Sequence, residues 1–237
     1  MKGKKILISG GSGNLARELW KYGNDYDIIA LSKIEMDIRK KSDIDFQISK
    51  NKPDYFIHSG ALTRPMNIHE DDPTRSIETN IIGTSNVVLS CMKYNIKLIY
   101  ISTDYVYPGS SGNYREEDFL KPFTKYGWSK LGGECSVRLY DNHLILRVSM
   151  NQKPFPHEKA LVDMRKSLMY IEDAAQTILK LLNETGTINV GGKSQSVFEF
   201  VQETNPNIGR ITLKEIEDVE MATDCSMNIS KMEKILL

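Results

Sequence analysis

The stretch from Lys5 to Ala16 constrains this chain more than any other. Lys5 to Ser9 reads as a buried strand and runs directly into Gly10-Gly11-Ser12-Gly13-Asn14-Leu15-Ala16. A strand that ends in Gly-x-x-Gly-x-x-Ala and opens a helix brings backbone N–H groups close to a pyrophosphate at the helix N-terminus. The small Ala16 lets helix and strand pack closely. Gly10, Gly13, Asn14 and Leu15 are therefore candidate dinucleotide-binding positions, with a plain glycine-rich turn as the alternative.

Short apolar runs then alternate with amphipathic segments. The pattern predicts a helix over 14–22, a strand over 28–31, a helix over 42–51, stopped before Pro53, and a strand over 55–58. Asp72-Pro73 reads as a helix start, with a carboxylate cap and Pro in the first turn, running to about Tyr94. A strand over 97–102, a helix from Phe123 to about Tyr140 and a strand over 143–148 follow. Beyond them come a helix over 170–183, a strand over 187–190, a helix opened by the capping box Ser196-Val197-Phe198-Glu199, and a short helix over 230–237. The order implies an α/β fold, a Rossmann-like doubly wound parallel sheet whose strand ends converge on one ligand edge. The expected division is a dinucleotide-binding domain over 1–149 and a small substrate lobe over 150–237, packed on the same core.

Composition narrows the class. Lys plus Arg and Asp plus Glu both total 31 in a chain of 237 residues, which argues against a general nucleic-acid binder. Cys91, Cys135 and Cys225 form neither a disulfide framework nor a zinc pattern. His58, His69, His143 and His157 are scattered, so no metal site is expected. The N-terminal lysines precede only Ile6-Leu7-Ile8, too short for a secretion signal, and no stretch is long enough to span a bilayer. The expectation is a soluble cytoplasmic protein.

Chemistry-bearing residues gather at the ligand edge. In Tyr126-Gly127-Trp128-Ser129-Lys130, the Tyr and Lys stand four apart on one helix face. An ammonium near a phenol favours the phenolate, which makes the pair a candidate proton-transfer unit. Ser102, Thr103 and Asp104 follow the fourth strand, where a hydroxyl can polarise a substrate carbonyl. The second strand ends in Leu31-Ser32-Lys33 with no carboxylate at its tip. Ser32 and Lys33 suit a 2′-phosphate, so the cofactor reading is NADP, with NAD the alternative. Asp37, in Met36-Asp37-Ile38, is a candidate partner for the adenine amine. After His58, read as structural, Ser59, Gly60 and Ala61 let the third strand end run beside a ribose.

Together these residues resemble the extended short-chain dehydrogenase/reductase family, and within it the dTDP-4-dehydrorhamnose reductases and related sugar-nucleotide reductases. The carriers are GGSGNLA, EMDI, TNIIGTSNV, ISTDYVYPG and KPFTKYGWSKLGGE, with YIEDAAQTI and INVGGKSQSVFEF further on. The resemblance implies that Tyr126 is the general acid, that Lys130 binds the nicotinamide ribose, and that Thr103 holds the substrate oxygen. It further implies that Asn80 supports the active-site Lys through the backbone and a water, and that Ser102, Asp104 and Tyr105 border the cofactor and a nucleotide-sugar substrate. Ile38 falls within the matched EMDI segment. Tyr105 after Asp104 matches keto reductases rather than dehydratases, which carry Asp-Glu there. An epimerase and a catalytically silent NADP-binding regulatory subunit are the competing readings. Homodimer formation would use the helices over 72–94 and 123–140. One departure is the short interval over 150–170, which normally covers the sugar nucleotide; its Lys153, Arg165 and Lys166 could neutralise a diphosphate or simply be solvated.

Overall fold

A computed structural model describes residues 3–216 and 221–237. Its centre is one sheet of six parallel strands. These are β1 (Lys5–Ser9), β2 (Asp27–Leu31), β3 (Tyr55–His58), β4 (Lys97–Thr103), β5 (His143–Val148) and β6 (Gly186–Val190). Their spatial order is β2-β1-β3-β4-β5-β6, so the winding direction reverses between β1 and β3. Ligands bind outside the strand ends at such a reversal. This is the Rossmann-like architecture the alternation implies.

Both faces of the sheet are covered, which is why its strands are continuous apolar runs. Ile6 and Ile8 point to the face packed by α1 (Asn14–Tyr22), and Leu7 points to the other. The second face carries α2 (Lys41–Asn51), α3 (Gly83–Tyr94) and α4 (Lys125–Val137). Its core joins Phe56, Leu98, Tyr100 and Ile145 to Ile44, Val87, Cys91 and Val137. Fully burying one such side chain contributes roughly 1.5–3 kcal/mol.

The chain beyond residue 150 divides its service. Helix α5 (Ile171–Leu181) packs with α1 through Ala174, Ile178 and Leu181, and β6 extends the sheet beside β5. The rest builds a satellite lobe around Leu161, Met164, Leu168, Phe198, Phe200 and Cys225, next to α6 (Val197–Gln202). The Ser196–Glu199 capping box is present at α6, as its sequence signature implies.

The expected helix from Asp72 is where the structure differs most. It breaks into Pro73–Ser76, a π-helical segment Ile77–Ile82, and α3. Asp72 makes no side-chain capping bond there. The widened turn presents Asn80, whose side-chain amide donates to Leu62 O at 2.9 Å and Ser129 Oγ at 2.8 Å and accepts from Leu62 N at 2.8 Å. The π segment thereby ties the loop after β3 to the helix carrying Tyr126.

Candidate active site

A cavity of about 800 Å³ opens at the carboxyl ends of the strands, between the sheet and the satellite lobe. Gly10, Gly13, Asn14 and Leu15 line it, as do Ser59, Gly60 and Ala61 after β3 and Thr103, Asp104, Tyr105, Tyr126 and Lys130. The glycine turn fits closely packed backbone. Gly10 has φ +76°, and a Cβ on it would lie 2.8 Å from Gly60 Cα. A side chain at Gly10 would therefore push the turn off the backbone after β3, and the turn would lose its place before α1, where unpaired N–H groups meet an anion.

The reacting groups come from β4 and α4. Thr124 caps α4 by accepting from Gly127 N at 3.0 Å, which sets Tyr126 in the first turn. Tyr126 is half-buried and touches the rings of His69 and Tyr105 at centroid distances of 5.0 and 5.9 Å. Burial and then the Asp104 carboxylate push its phenol well above the usual range, while the Thr103 hydroxyl beside it pulls the other way. Lys130 is only 3 % exposed. Its ammonium donates to Ile101 O at 2.8 Å and lies 4.1 Å from the Tyr100 ring centre. Burial lowers it to about 7, against the opposing pull of Glu134. The expectation that Lys130 favours the phenolate is thus not met in the resting site. The two groups share the cavity, but desolvation shifts each towards its neutral form.

Other expected positions have different occupations. Ser102 donates its hydroxyl to Glu134 Oε1 at 2.6 Å. Glu134 is also gripped by Arg147 at 2.9 Å, both side chains being fully buried, and Ser102 lines the cavity while its hydroxyl is tied to this buried pair. Asn80 ties Leu62 of the loop after β3 to Ser129, the neighbour of Lys130 in α4. Burial, with Lys130 nearby, lowers His58 to about 3, and His58 bridges Ser9 and Thr84 as a structural residue.

The β2 tip departs from its sequence reading. Glu35 folds back, and its Oε2 accepts from Ser32 N at 2.8 Å and Ser32 Oγ at 2.7 Å. A carboxylate does stand there, supplied from three residues on through a local Ser-x-x-Glu turn. Lys33 is exposed, and neither Ser32 nor Lys33 lines the cavity. Asp37 is committed to Arg39 at 2.6 Å, and buried Ile38 packs under α3 against Gly83.

One contribution escaped sequence reading, and another, left open between two roles, is placed by the structure. Thr63, Arg64, Pro65 and Met66 form one rim of the cavity, a loop with no motif of its own. Lys166 is buried in the wall 2.9 Å from Asp104, not solvated as loop lysines usually are, whereas Lys153 and Arg165 are exposed. Among the described residues no group of His, Cys, Asp and Glu could hold a metal ion, and no helix is long and apolar enough to cross a membrane.

Comparison with known proteins agrees with this geometry. The chain is 33 % identical over 150 residues to dTDP-4-dehydrorhamnose reductase of Aggregatibacter actinomycetemcomitans, covering 61 % of this chain and 51 % of the relative. It is 33 % identical over 138 residues to the spore coat polysaccharide biosynthesis protein SpsK of Bacillus subtilis, covering 57 % and 48 %. It is 30 % identical over 143 residues to methionine adenosyltransferase 2 subunit beta of Bos taurus, covering 56 % and 42 %. The chain thus spans about half the length of the curated relatives it matches. The crystal structure of dTDP-4-dehydrorhamnose reductase from Bacillus anthracis in complex with NADP superposes with a TM-score of 0.89 at 25 % identity, covering 99 % of this chain and 93 % of that one. The RmlD substrate binding domain profile matches residues 4–168, the span that holds the glycine turn, Thr103, Tyr126, Lys130 and Lys166, and the chain belongs to that family.

Proposed function

We propose that this protein is an NADP-dependent oxidoreductase that reduces the 4-keto group of a nucleotide-linked 6-deoxy sugar. The observation that carries the reading is the convergence of Thr103, Tyr126 and Lys130 on the cavity that the Gly10–Gly13 turn also lines. The bound nicotinamide supplies the hydride. Gly10, Gly13, Asn14 and Leu15 suit the cofactor diphosphate, because they line the cavity where α1 begins and its first N–H groups face an anion. The Thr103 hydroxyl, which donates to Asp104 Oδ1 at rest, turns to donate to the carbonyl oxygen, and Tyr126 delivers its phenolic proton to that oxygen as negative charge develops. Lys130 would hold the nicotinamide ribose, and its ammonium form would stabilise the phenolate left on Tyr126. The product would be a polysaccharide building block, in keeping with the process named for the Bacillus subtilis relative.

Purified protein given NADPH and a panel of nucleotide-linked 4-keto sugars should oxidise the cofactor. Tyr126→Phe should lower kcat by roughly 10²- to 10⁴-fold, the usual worth of a positioned general acid. No turnover with any keto sugar would overturn the reading. The similarity to methionine adenosyltransferase 2 subunit beta motivates a second reading, a cofactor-binding regulatory subunit. Stable capture of an adenosyltransferase, with inactivity on every sugar, would favour it.

A further inference from the structure

The satellite lobe sends one charged side chain into the site. Lys166 belongs to the short strand Arg165–Lys166, which pairs antiparallel with Gln195–Ser196. Its ammonium lies 2.9 Å from Asp104 Oδ2 and 4.2 Å from the Tyr105 ring centre. Asp104 is 2 % exposed and is held from three sides. Thr103 Oγ1 donates to Oδ1 at 3.2 Å, while Ser149 Oγ, at 2.8 Å, and Lys166 donate to Oδ2. The Tyr105 ring stands edge-on to Tyr126 and stacks on Phe123. Thr103, Asp104, Tyr105, Tyr126 and Lys166 all line the same cavity.

This arrangement poses an electrostatic problem. A carboxylate stands near a phenol that must become negative when it releases its proton, and two like charges in a poorly solvated site disfavour each other. We infer that Lys166 is a positioning residue of the proton-transfer site: its ammonium neutralises Asp104 and, with Ser149, holds that carboxylate in place, so that Tyr126 can release its proton beside it. The role deepens the reductase reading and rests on it for its catalytic consequence, but the electrostatic link exists in the resting protein. The groups facing Tyr126 are Asp104, Thr103, Tyr105, Tyr100, His69 and Lys166; those facing Lys166 are Asp104, Tyr105 and Cys225. Burial alone would pull the Lys166 ammonium down, and the Asp104 carboxylate 2.9 Å away reverses that and holds it above its ordinary range.

Tyrosine labelled with ¹³C at Cζ tests the link without any substrate. The Tyr126 resonance is assigned by its loss in Tyr126→Phe, and its titration is compared in Lys166→Met and in Asp104→Asn/Lys166→Met. The double variant removes both charges together and so leaves no buried ion unpaired. With Lys166 gone, the Asp104 carboxylate should make the Tyr126 midpoint higher by about one pH unit or more in the single variant than in the double one. Equal midpoints would overturn the inference. Should Lys166→Met fail to fold, Lys166→Gln replaces it in both arms. In turnover, Lys166→Met should lower kcat with little change in KM and shift the pH profile, and Lys166→Arg should restore most of both. An inactive protein whose midpoints still differ keeps the inference and loses the reductase; an active one with equal midpoints does the reverse.

Discussion

Tyr126 and Lys130 are moved in opposite directions by the same cause. Burial raises the phenol and lowers the amine to about 7, because both lose water that would solvate their charged forms. The folded value for Lys130 lies below its ordinary 10.5, so between about 7 and 10.5 the unfolded chain binds a proton that the folded one does not. The contribution of Lys130 to the stability of the cofactor-free protein should therefore grow as pH rises through that window. Urea midpoints across it should climb less in Lys130→Met than in the wild type, and parallel curves would contradict the assignment. A separate expectation concerns Glu35, whose carboxylate holds the Ser32 hydroxyl and amide. If the adenosine 2′-phosphate sits at the end of β2, Glu35→Gln should tighten NADPH relative to NADH by about a few-fold in fluorescence titration, since the charge is exposed and screened. An unchanged ratio would place the phosphate elsewhere. The spacing of Tyr126 and Lys130 was legible in the sequence, because a helix places such pairs on one face. Their ionisation was not, since it depends on how much of the protein covers them.

At the scale of elements, β1, α1, β3 and β5 lie where the apolar pattern puts them, with the same end residues. Each is a local signal, either an apolar run or a helix bounded by glycine. The π segment was not legible, because its widened turn answers tertiary demands: Asn80 must reach Leu62 and Ser129. Nor was the tight seat of α4. A Cβ on Gly133 would lie 2.5 Å from Tyr100 Oη and 2.9 Å from Asn80 O. An unconstrained helix gains about 1 kcal/mol from Gly→Ala. Here overpacking, which costs about 1–3 kcal/mol, should win. Gly133→Ala should therefore lower stability in urea unfolding and weaken cofactor binding as α4 lifts from the π segment. A gain in stability would show that the contact yields.

For the whole molecule, one cavity collects contributions from distant parts of the chain. The glycine turn, the rim over 63–66, β4, α4 and the lobe residues Phe155, Leu161 and Lys166 all border it. The sheet and its ligand edge follow from alternation alone, since parallel strands joined by helices bring their carboxyl ends together. The part of the wall built after residue 150 was hidden, because strands of two and three residues carry no periodicity. Lys166 is the clearest case: only its pairing to Gln195 and its meeting with Asp104 distinguish it from a solvated loop lysine. The central claim is that this cavity passes a hydride to a sugar ketone while Tyr126 supplies the proton. The most direct measurement uses NADPH carrying deuterium at the transferable position, with the sugar product read by mass spectrometry. Deuterium should appear at the former carbonyl carbon with the wild type and be almost absent with Tyr126→Phe. Unlabelled sugar from the wild type, or undiminished transfer by the variant, would contradict the account.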